Sequence, residues 1–308
     1  MNLYKITVKP LSAYCSPLQS DTFFGAFCWS YLFGYGEDAL HRLLCRCKEG
    51  SPDIIFSNAF PSGRLPMPAG FNEFTEDQAR QTLKYKKQKQ FSTIGLDDFN
   101  RLINGTKEVS FHASAEEPEA KLDLRWRNKV SRNTDKAEDT EGEDALFETE
   151  QYFAEGTFDI FIRSSFAEEV LEQVLPEMFR YGIGARRSVG KGSFCMEGGL
   201  ELFDGFRLPQ NPDGFVALSN FVPQRNDPTD GSYKAFVKYP KVSFVENGED
   251  SPLKKPIIFL KAGSVFRDRP VKEFYGSCID KIALKGGRIS GEIVVGAYTI
   301  AVPCRIPY

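Results

Sequence analysis

Histidine, paired cysteine, surplus positive charge and long apolar runs are all scarce in this sequence, and each scarcity removes a class of function. Only two histidines occur, His41 and His112, and they stand far apart. A His-rich metal site or a His-x-x-x-His zinc motif is thereby excluded. The seven cysteines, Cys15, Cys28, Cys45, Cys47, Cys195, Cys278 and Cys304, include no C-x-x-C pair. Their odd number speaks against a disulfide framework and for reduced thiols held mostly in cores. Basic residues do not outnumber acidic ones: 39 Lys and Arg face 42 Asp and Glu, a net charge of −3. A free-standing nucleic-acid binder usually carries a basic excess. That class is disfavoured, although a local basic groove is not. The most apolar stretch, Phe23–Tyr35, is too short to span a bilayer. The start, Met1-Asn2-Leu3-Tyr4-Lys5, lacks the basic-then-apolar order of a signal peptide. The expected location is cytoplasmic, with no membrane contact.

What is present is enough for a large core. At ~100–200 residues per domain, 308 residues predict two domains. Tyr4, Ile6 and Val8 alternate with Lys5, Thr7 and Lys9, which predicts a half-buried strand. Pro17 marks a loop, and Ser20 or Asp21 suits the N-cap of a helix through Phe23, Phe24, Phe27 and Trp29. Glu37 to Lys48 reads as a second helix, and Ile54-Ile55-Phe56 as a short strand before the turn-rich Pro61–Pro68. From 75 to 145 the pattern is lost. Arg80, Lys84, Lys86, Lys87 and Lys89 cluster there, and Asp135–Asp144 carries six acids. So long a structureless loop is uncommon inside a domain, so an inserted excursion with some helix or hairpin is expected.

Regular pattern returns at Leu146–Phe153. With the turn at Gly156 and the alternating Phe158–Ile162, it predicts a hairpin. Ser165-Phe166-Ala167-Glu168 has capping-box spacing ahead of Leu171, Val174, Leu175 and Met178. Pro176 predicts a kink or a late helix start there. Phe194–Phe203 reads as a strand. The order strand, helix, strand, insertion, strand, helix, strand is the ferredoxin-like plan. The expected class is α+β: an N-terminal ferredoxin-like domain over 1–205, then a second α+β domain over 206–308. Strands are expected there at Phe215–Leu218, Ala235–Tyr239, Ile257–Phe259 and Ile293–Val302. No short-period internal repeat stands out.

The sharpest feature is Gly182-Ile183-Gly184-Ala185-Arg186-Arg187-Ser188-Val189-Gly190-Lys191-Gly192. Four glycines free the backbone, three cations join them, and no acid occurs between Arg180 and Phe194. Amides beside Arg and Lys make a phosphate cradle. It is not a Walker A loop, because five residues separate Gly184 from Gly190 and Gly192 follows Lys191. It is not a dinucleotide fingerprint, because Arg187 stands where the third glycine belongs. The order is also reversed: a helix leads into this loop and a strand leaves it. A helix C-terminus repels phosphate, so the loop suits a polymer backbone threaded over it better than a buried nucleotide. The competing structural reading is a helix C-cap and turn, with Gly182 and Gly184 in that role.

Gly-x-Gly, a basic stretch and Gly-x-Gly between the last helix and last strand of a ferredoxin-like unit resemble the RAMP superfamily of CRISPR RNA-binding proteins. Pro17–Trp29, Ser57–Pro61 with Leu65–Pro68, Leu260–Phe266 and Gly296–Ile300 extend the resemblance over nearly the whole chain outside the insertion. Within that superfamily the chain is similar to the Csm-type subunits that cap the crRNA 5′ end in type III-A effector complexes. The resemblance implies two tandem ferredoxin-like (RRM-like) lobes with an inserted thumb. It implies an antiviral role without catalysis, metal or cofactor. It also implies three partners: the crRNA 5′ handle, a large cyclase/polymerase-like subunit and a backbone RAMP subunit. Target RNA would lie near the 5′ end of the guide.

The implied RNA contacts are Gly182, Gly184, Arg186, Arg187, Ser188, Gly190, Lys191 and Gly192 in the loop. Lys84, Lys86, Lys87 and Lys89 follow in the insertion, and Gln19, Ser20, Asp21 and Thr22 at the first helix. Tyr233, Lys238, Lys254 and Lys255 are candidates in the second lobe. Asp21 is the one candidate for target-RNA cleavage, weighed against a plain N-cap role. His41 would serve the alternative of a crRNA-processing endonuclease, as general acid or base, against an ordinary surface histidine. An RNA contact by His112 has no support.

Overall fold

The computed structural model describes residues 1–71, 92–106, 121–128, 146–241, 254–285, 288–290 and 293–307. Lys84, Lys86, Lys87, Lys89 and His112 lie outside them. The first half is built on four strands. β1 (Asn2–Pro10) buries Tyr4, Ile6 and Val8 and turns Lys5 and Lys9 outward, as alternation requires. It leads to α1 (Ser20–Tyr35) and α2 (Glu37–Lys48), which return to β2 (Ile54–Pro61). After β7 (Phe158–Ser164), α4 (Glu168–Arg180) crosses to β8 (Phe194–Leu202). The sheet order is β2-β7-β1-β8, antiparallel throughout. With helices after its first and third strands, this is the ferredoxin-like order. Pro176 sits within α4, whose span continues past it to Arg180.

Three local expectations are corrected. The predicted hairpin of Leu146–Phe153 with Phe158–Ile162 does not form. β6 (Leu146–Phe153) pairs instead with β5 (Lys121–Asn128), while β7 takes the central place between β1 and β2. All seven residues of β7 but Arg163 are buried, so it belongs inside a sheet covered on both faces. Neither Ser20 nor Asp21 is an N-cap: Gln19 holds that position without a side-chain cap bond, and Ser20 is the first helical residue. Ser165 does not close a capping box either. Ala167 is the N-cap of α4, and the Ser165 hydroxyl donates to the Asp53 carboxylate at 2.9 Å.

The region expected to be an excursion contributes to the core. β3 (Arg64–Pro66) pairs with β4 (Thr93–Gly95), and α3 (Leu96–Ile103) buries Phe99, Leu102 and Ile103. Each such side chain contributes ~1.5–3 kcal/mol through burial.

The second sheet has the order β10 (Gly231–Ser232), β13 (Val265–Arg267), β9 (Gly214–Ala217), β17 (Val295–Cys304) and β14 (Phe274–Ile279). β11 (Ala235–Lys238) and β12 (Ile257–Leu260) form a separate antiparallel pair, and β15 (Ala283–Lys285) and β16 (Arg288–Ser290) another. Among the described residues beyond 205 there is no helix. Cover comes from the first half: α1 packs on β17 and α2 on β14. One core cluster accordingly joins Ile6, Phe27 and Phe56 to Val216, Ile300 and Val302.

Buried Ser219 and Asn220, with half-buried Asn58, fasten the two sheets. The β2–β7 register breaks between Phe56 and Ala59, which frees the Asn58 amide to donate to the Leu218 carbonyl at 3.0 Å. Asn58 Oδ1 accepts from the amides of Ser20 and Asn220, and Asn220 Oδ1 accepts from the amide of Ala262. The Ser219 hydroxyl donates to the Phe56 carbonyl at 2.7 Å. No described helix is long and apolar enough to cross a membrane.

Candidate nucleic-acid interface

The glycine-rich loop begins as the end of α4. Gly182 takes a left-handed conformation, φ 86°, just past the helix, as a C′ glycine does. The loop is then pinched shut. The Ile183 amide donates to the Gly192 carbonyl at 2.7 Å, and the Gly192 amide donates to the Ala13 carbonyl at 2.9 Å. At Gly192 a Cβ would lie 2.1 Å from the Ile183 carbonyl oxygen, so only glycine permits this neck. Inside it, Arg187–Val189 make one 3-10 turn between two left-handed residues, Arg186 (φ 62°) and Gly190 (φ 78°). The Arg186 carbonyl accepts from the amides of Val189 and Lys191.

The loop therefore uses several of its own amides to hold its shape. The expected cradle of free amides is narrower than the sequence suggests. Ser188, Val189 and Gly190 form the exposed tip.

The loop rests on the segment between β1 and α1. The Ala185 amide donates to Ser16 Oγ and the Ser193 amide to Ser12 Oγ, both at 3.0 Å. A Cβ at Gly184 would meet Ser16 at 2.7 Å. The β5–β6 hairpin is fastened to the same segment. Tyr14 and Tyr152 exchange backbone hydrogen bonds, and their rings stack at 5.5 Å. Burial pushes the Tyr14 phenol up to about 12, and Tyr152 adds to the shift.

The loop also reaches the hairpin through its cations. Arg186 Nη2 donates to Thr149 Oγ1 at 3.1 Å. Asp123 accepts from Arg125 and Gln151 at 2.9 and 2.8 Å. Those bonds, with the charges of Arg125 and Lys191, hold its carboxyl below the usual carboxylate range. The stem of Arg187 lies over Gly182.

The other candidates are placed differently. Lys238 Nζ donates to Gln19 Oε1 at 2.7 Å and to Asp21 Oδ1 and Oδ2 at 2.8 and 2.7 Å. Gln19 and Asp21 thus tie the start of α1 to β11. The Ser20 hydroxyl donates to the Asn220 carbonyl, and the Thr22 amide to the Gln19 carbonyl. Burial pulls the Lys254 ammonium down, and the charge of Asp21 pulls it partly back up. Lys255 is exposed, and Tyr233 is half-exposed and stacks on Phe266 at 5.5 Å. His41 Nε2 lies 3.4 Å from Cys45 Sγ on the outer side of α2. Among the described residues, no three His, Cys, Asp or Glu side chains could hold a metal ion.

Sequence reasoning missed Ser12, Tyr14, Ser16 and Thr149, the support of the loop. Only their place beside Pro17, or on a strand expected to pair elsewhere, marked them.

The profile of the RAMP superfamily matches residues 11–195, a span that holds the loop, the Ser12–Ser16 segment and Thr149 that support it, and the strands β2 and β7 of the first sheet. No curated protein matches the sequence. The fold is similar to a chain in the crystal structure of a Csm1-Csm4 cassette in complex with AMPPNP, with a TM-score of 0.61, 17% identity and 99% of each chain covered. It is similar to a chain of a Csm1-Csm4 cassette in complex with cA3, with a TM-score of 0.59, 19% identity and 99% of each covered. It is also similar to a chain of a Csm3-Csm4 subcomplex from a type III-A CRISPR-Cas interference complex, at 0.61 and 17%, with 98% and 99% covered. At these identities the likeness is one of fold.

Proposed function

This chain belongs to the RAMP superfamily, and from that premise we propose that it is a non-catalytic subunit of a type III-A CRISPR effector complex. In this reading it holds the repeat-derived 5′ handle of a crRNA. It also links a large cyclase/polymerase-like subunit to a backbone RAMP subunit. The observation that carries the reading is the glycine-rich loop, pinched at Gly192, with three half-buried cations and no acid flanking its exposed tip. Such a loop takes phosphodiester oxygens by charge-assisted hydrogen bonds, which position a strand without reading its bases. The family match and the whole-length likeness to chains of Csm1-Csm4 and Csm3-Csm4 structures support the assembly role.

The chain's part in the mechanism is to hold and orient. Arg187 and Lys191, on either side of the tip, meet phosphates, and the β5–β6 hairpin stands beside them as the root of the expected thumb. Asp21 is neutralised by Lys238 and has no second carboxylate beside it among the described contacts, so it serves structure. Domain boundaries at 205/206 and contacts from Tyr233 and Lys255 belong to the same proposal.

The test is co-purification of crRNA with the Arg187→Ala, Lys191→Ala double variant. Retention should fall, and the salt dependence of binding should lose about two charges. Wild-type retention and slope would remove the loop from the interface.

A further inference from the structure

After Asp21, α1 carries no charged side chain, and apolar residues lie on every side of it. A helix of that composition is normally buried all round. One side obeys: Phe23, Phe24 and Phe27 are in the core. The other does not. Phe33 is 63% exposed, Trp29 packs against it with ring centroids 6.0 Å apart, and Tyr181 meets its edge at 5.6 Å while 46% exposed itself. Three neighbouring rings on a surface are the composition of an interface centre.

The surroundings choose the partner. Glu37 and Asp38 follow Tyr35 across Gly36, at the head of α2. Gln173, which accepts from the Tyr35 hydroxyl at 2.8 Å, is flanked by the exposed Glu172. Glu177 pairs with Arg180 at 3.0 Å, and that guanidinium covers the Tyr181 ring. Four acids thus lie along α4 and at the head of α2, against Arg180, Arg42 on α2, and Arg187, whose stem lies over Gly182 next to Tyr181. With acids in the majority there, this face favours basic protein side chains over phosphate. We propose that the Trp29–Phe33–Tyr181 face docks a protein whose matching surface is apolar at its centre and basic at its rim. The inference rests on the reading of the chain as one subunit of an assembly.

The test titrates wild type, Phe33→Arg and Glu172→Lys against the cognate large subunit and the cognate backbone subunit separately. crRNA retention and mass by light scattering are read on the same samples. Phe33→Arg should weaken binding to one of the two subunits about 30-fold or more, as loss of an interface anchor does. Glu172→Lys should weaken it several-fold, mainly through association rate. crRNA retention should not change. Phe33 lies largely in solvent, so its replacement should leave the melting temperature in place; if it does not, Glu172→Lys decides. Wild-type affinity for both subunits in both variants would overturn the docking face and leave the assembly reading standing. Loss of crRNA with subunit binding kept would make the face an RNA platform. Self-association of wild type, abolished by Phe33→Arg, would make the occupant a second copy. A wild-type chain that binds neither subunit would remove the assembly reading, and this inference with it.

Discussion

Removing the Asp21 carboxylate should loosen the tie between the first helix and the second half of the chain. Lys238 Nζ makes three short hydrogen bonds there, two of them to Asp21, whose side chain is 7% exposed against 22% for Lys238. Deleting one partner of a buried ion pair costs ~3–5 kcal/mol, because the other charge is left unpaired. Here Lys238 keeps Gln19 and some water, but Lys254 stands close enough for its charge and that of Lys238 to repel. Together these bring Asp21→Ala to about 2–3 kcal/mol. Lys238→Met should cost less, about 1–2 kcal/mol, because Lys254 still faces Asp21 and the new side chain packs on Phe259. Asp21→Ala with Lys238→Met should cost less than the two single changes together, by about 1–2 kcal/mol. Urea unfolding measures all of these, and for a chain of this size Asp21→Ala should lower Tm by about 3–5 °C. Stability within about 0.5 kcal/mol of wild type would refute the argument. So would strict additivity of the double change. A catalytic Asp21 predicts the opposite pattern: stability kept, and target-RNA cleavage by the assembled complex lost.

Two further outcomes follow from the loop and its hairpin. Gly192→Ala places a Cβ against the Ile183 carbonyl, so it should open the loop neck, cost more than about 2 kcal/mol and reduce crRNA retention. Gly190→Ala has the same left-handed backbone but open space, so it should cost only about 1 kcal/mol; equal melting temperatures and retention for the two would refute the neck. The Asp123 carboxyl, its value lowered by its bonds to Arg125 and Gln151 and by the charges of Arg125 and Lys191, should titrate below the ordinary 3.8 by carbon-detected NMR. The sign follows from linkage. The carboxylate's stabilising ties are complete above the unfolded value of 3.8 and are lost as pH falls through the lower folded value. A midpoint at or above 3.8 would refute those ties.

The ferredoxin-like sheet was legible because each element carries its own period. β1 alternates, and α4 repeats apolar residues at helical spacing, so local pattern and burial agree. Pairing was not legible in the same way. Leu146–Phe153 and Phe158–Ile162 look like neighbours along the chain, but a strand buried on both faces must sit inside the sheet, and nothing local says which partner it takes. α3 was missed for a different reason. Leu96, Phe99, Leu102 and Ile103 do have helical spacing, but they are surrounded by a charged tract whose composition masks them. The fastening between the sheets left a trace, because Ser57-Asn58-Ala59-Phe60-Pro61 and Ser219-Asn220-Phe221-Val222-Pro223 share Ser-Asn-x-x-Pro. Two copies so far apart are no short-period repeat. Their meaning emerges only where Asn58 accepts from the Asn220 amide.

At the candidate site, residue types were legible and their partners were not. Three cations within six residues, Arg186 to Lys191, repel one another, and a loop that carries them needs neighbours to offset that cost. The hairpin supplies them: Thr149 takes the Arg186 guanidinium, and Asp123 feels the charge of Lys191. Arg186 is also in a left-handed conformation, and its carbonyl closes the turn. Its side chain and backbone are thus both committed to shape. Under the proposed reading, phosphate affinity therefore falls more heavily on Arg187 and Lys191 than on Arg186. The net charge of −3 fits the same division of labour. Positive charge gathers at a loop whose form is fixed by its own backbone, and acids are in the majority along α4 and at the head of α2, the helices that adjoin the exposed rings. A chain that must meet RNA at one place and protein at another needs that partition rather than a basic average.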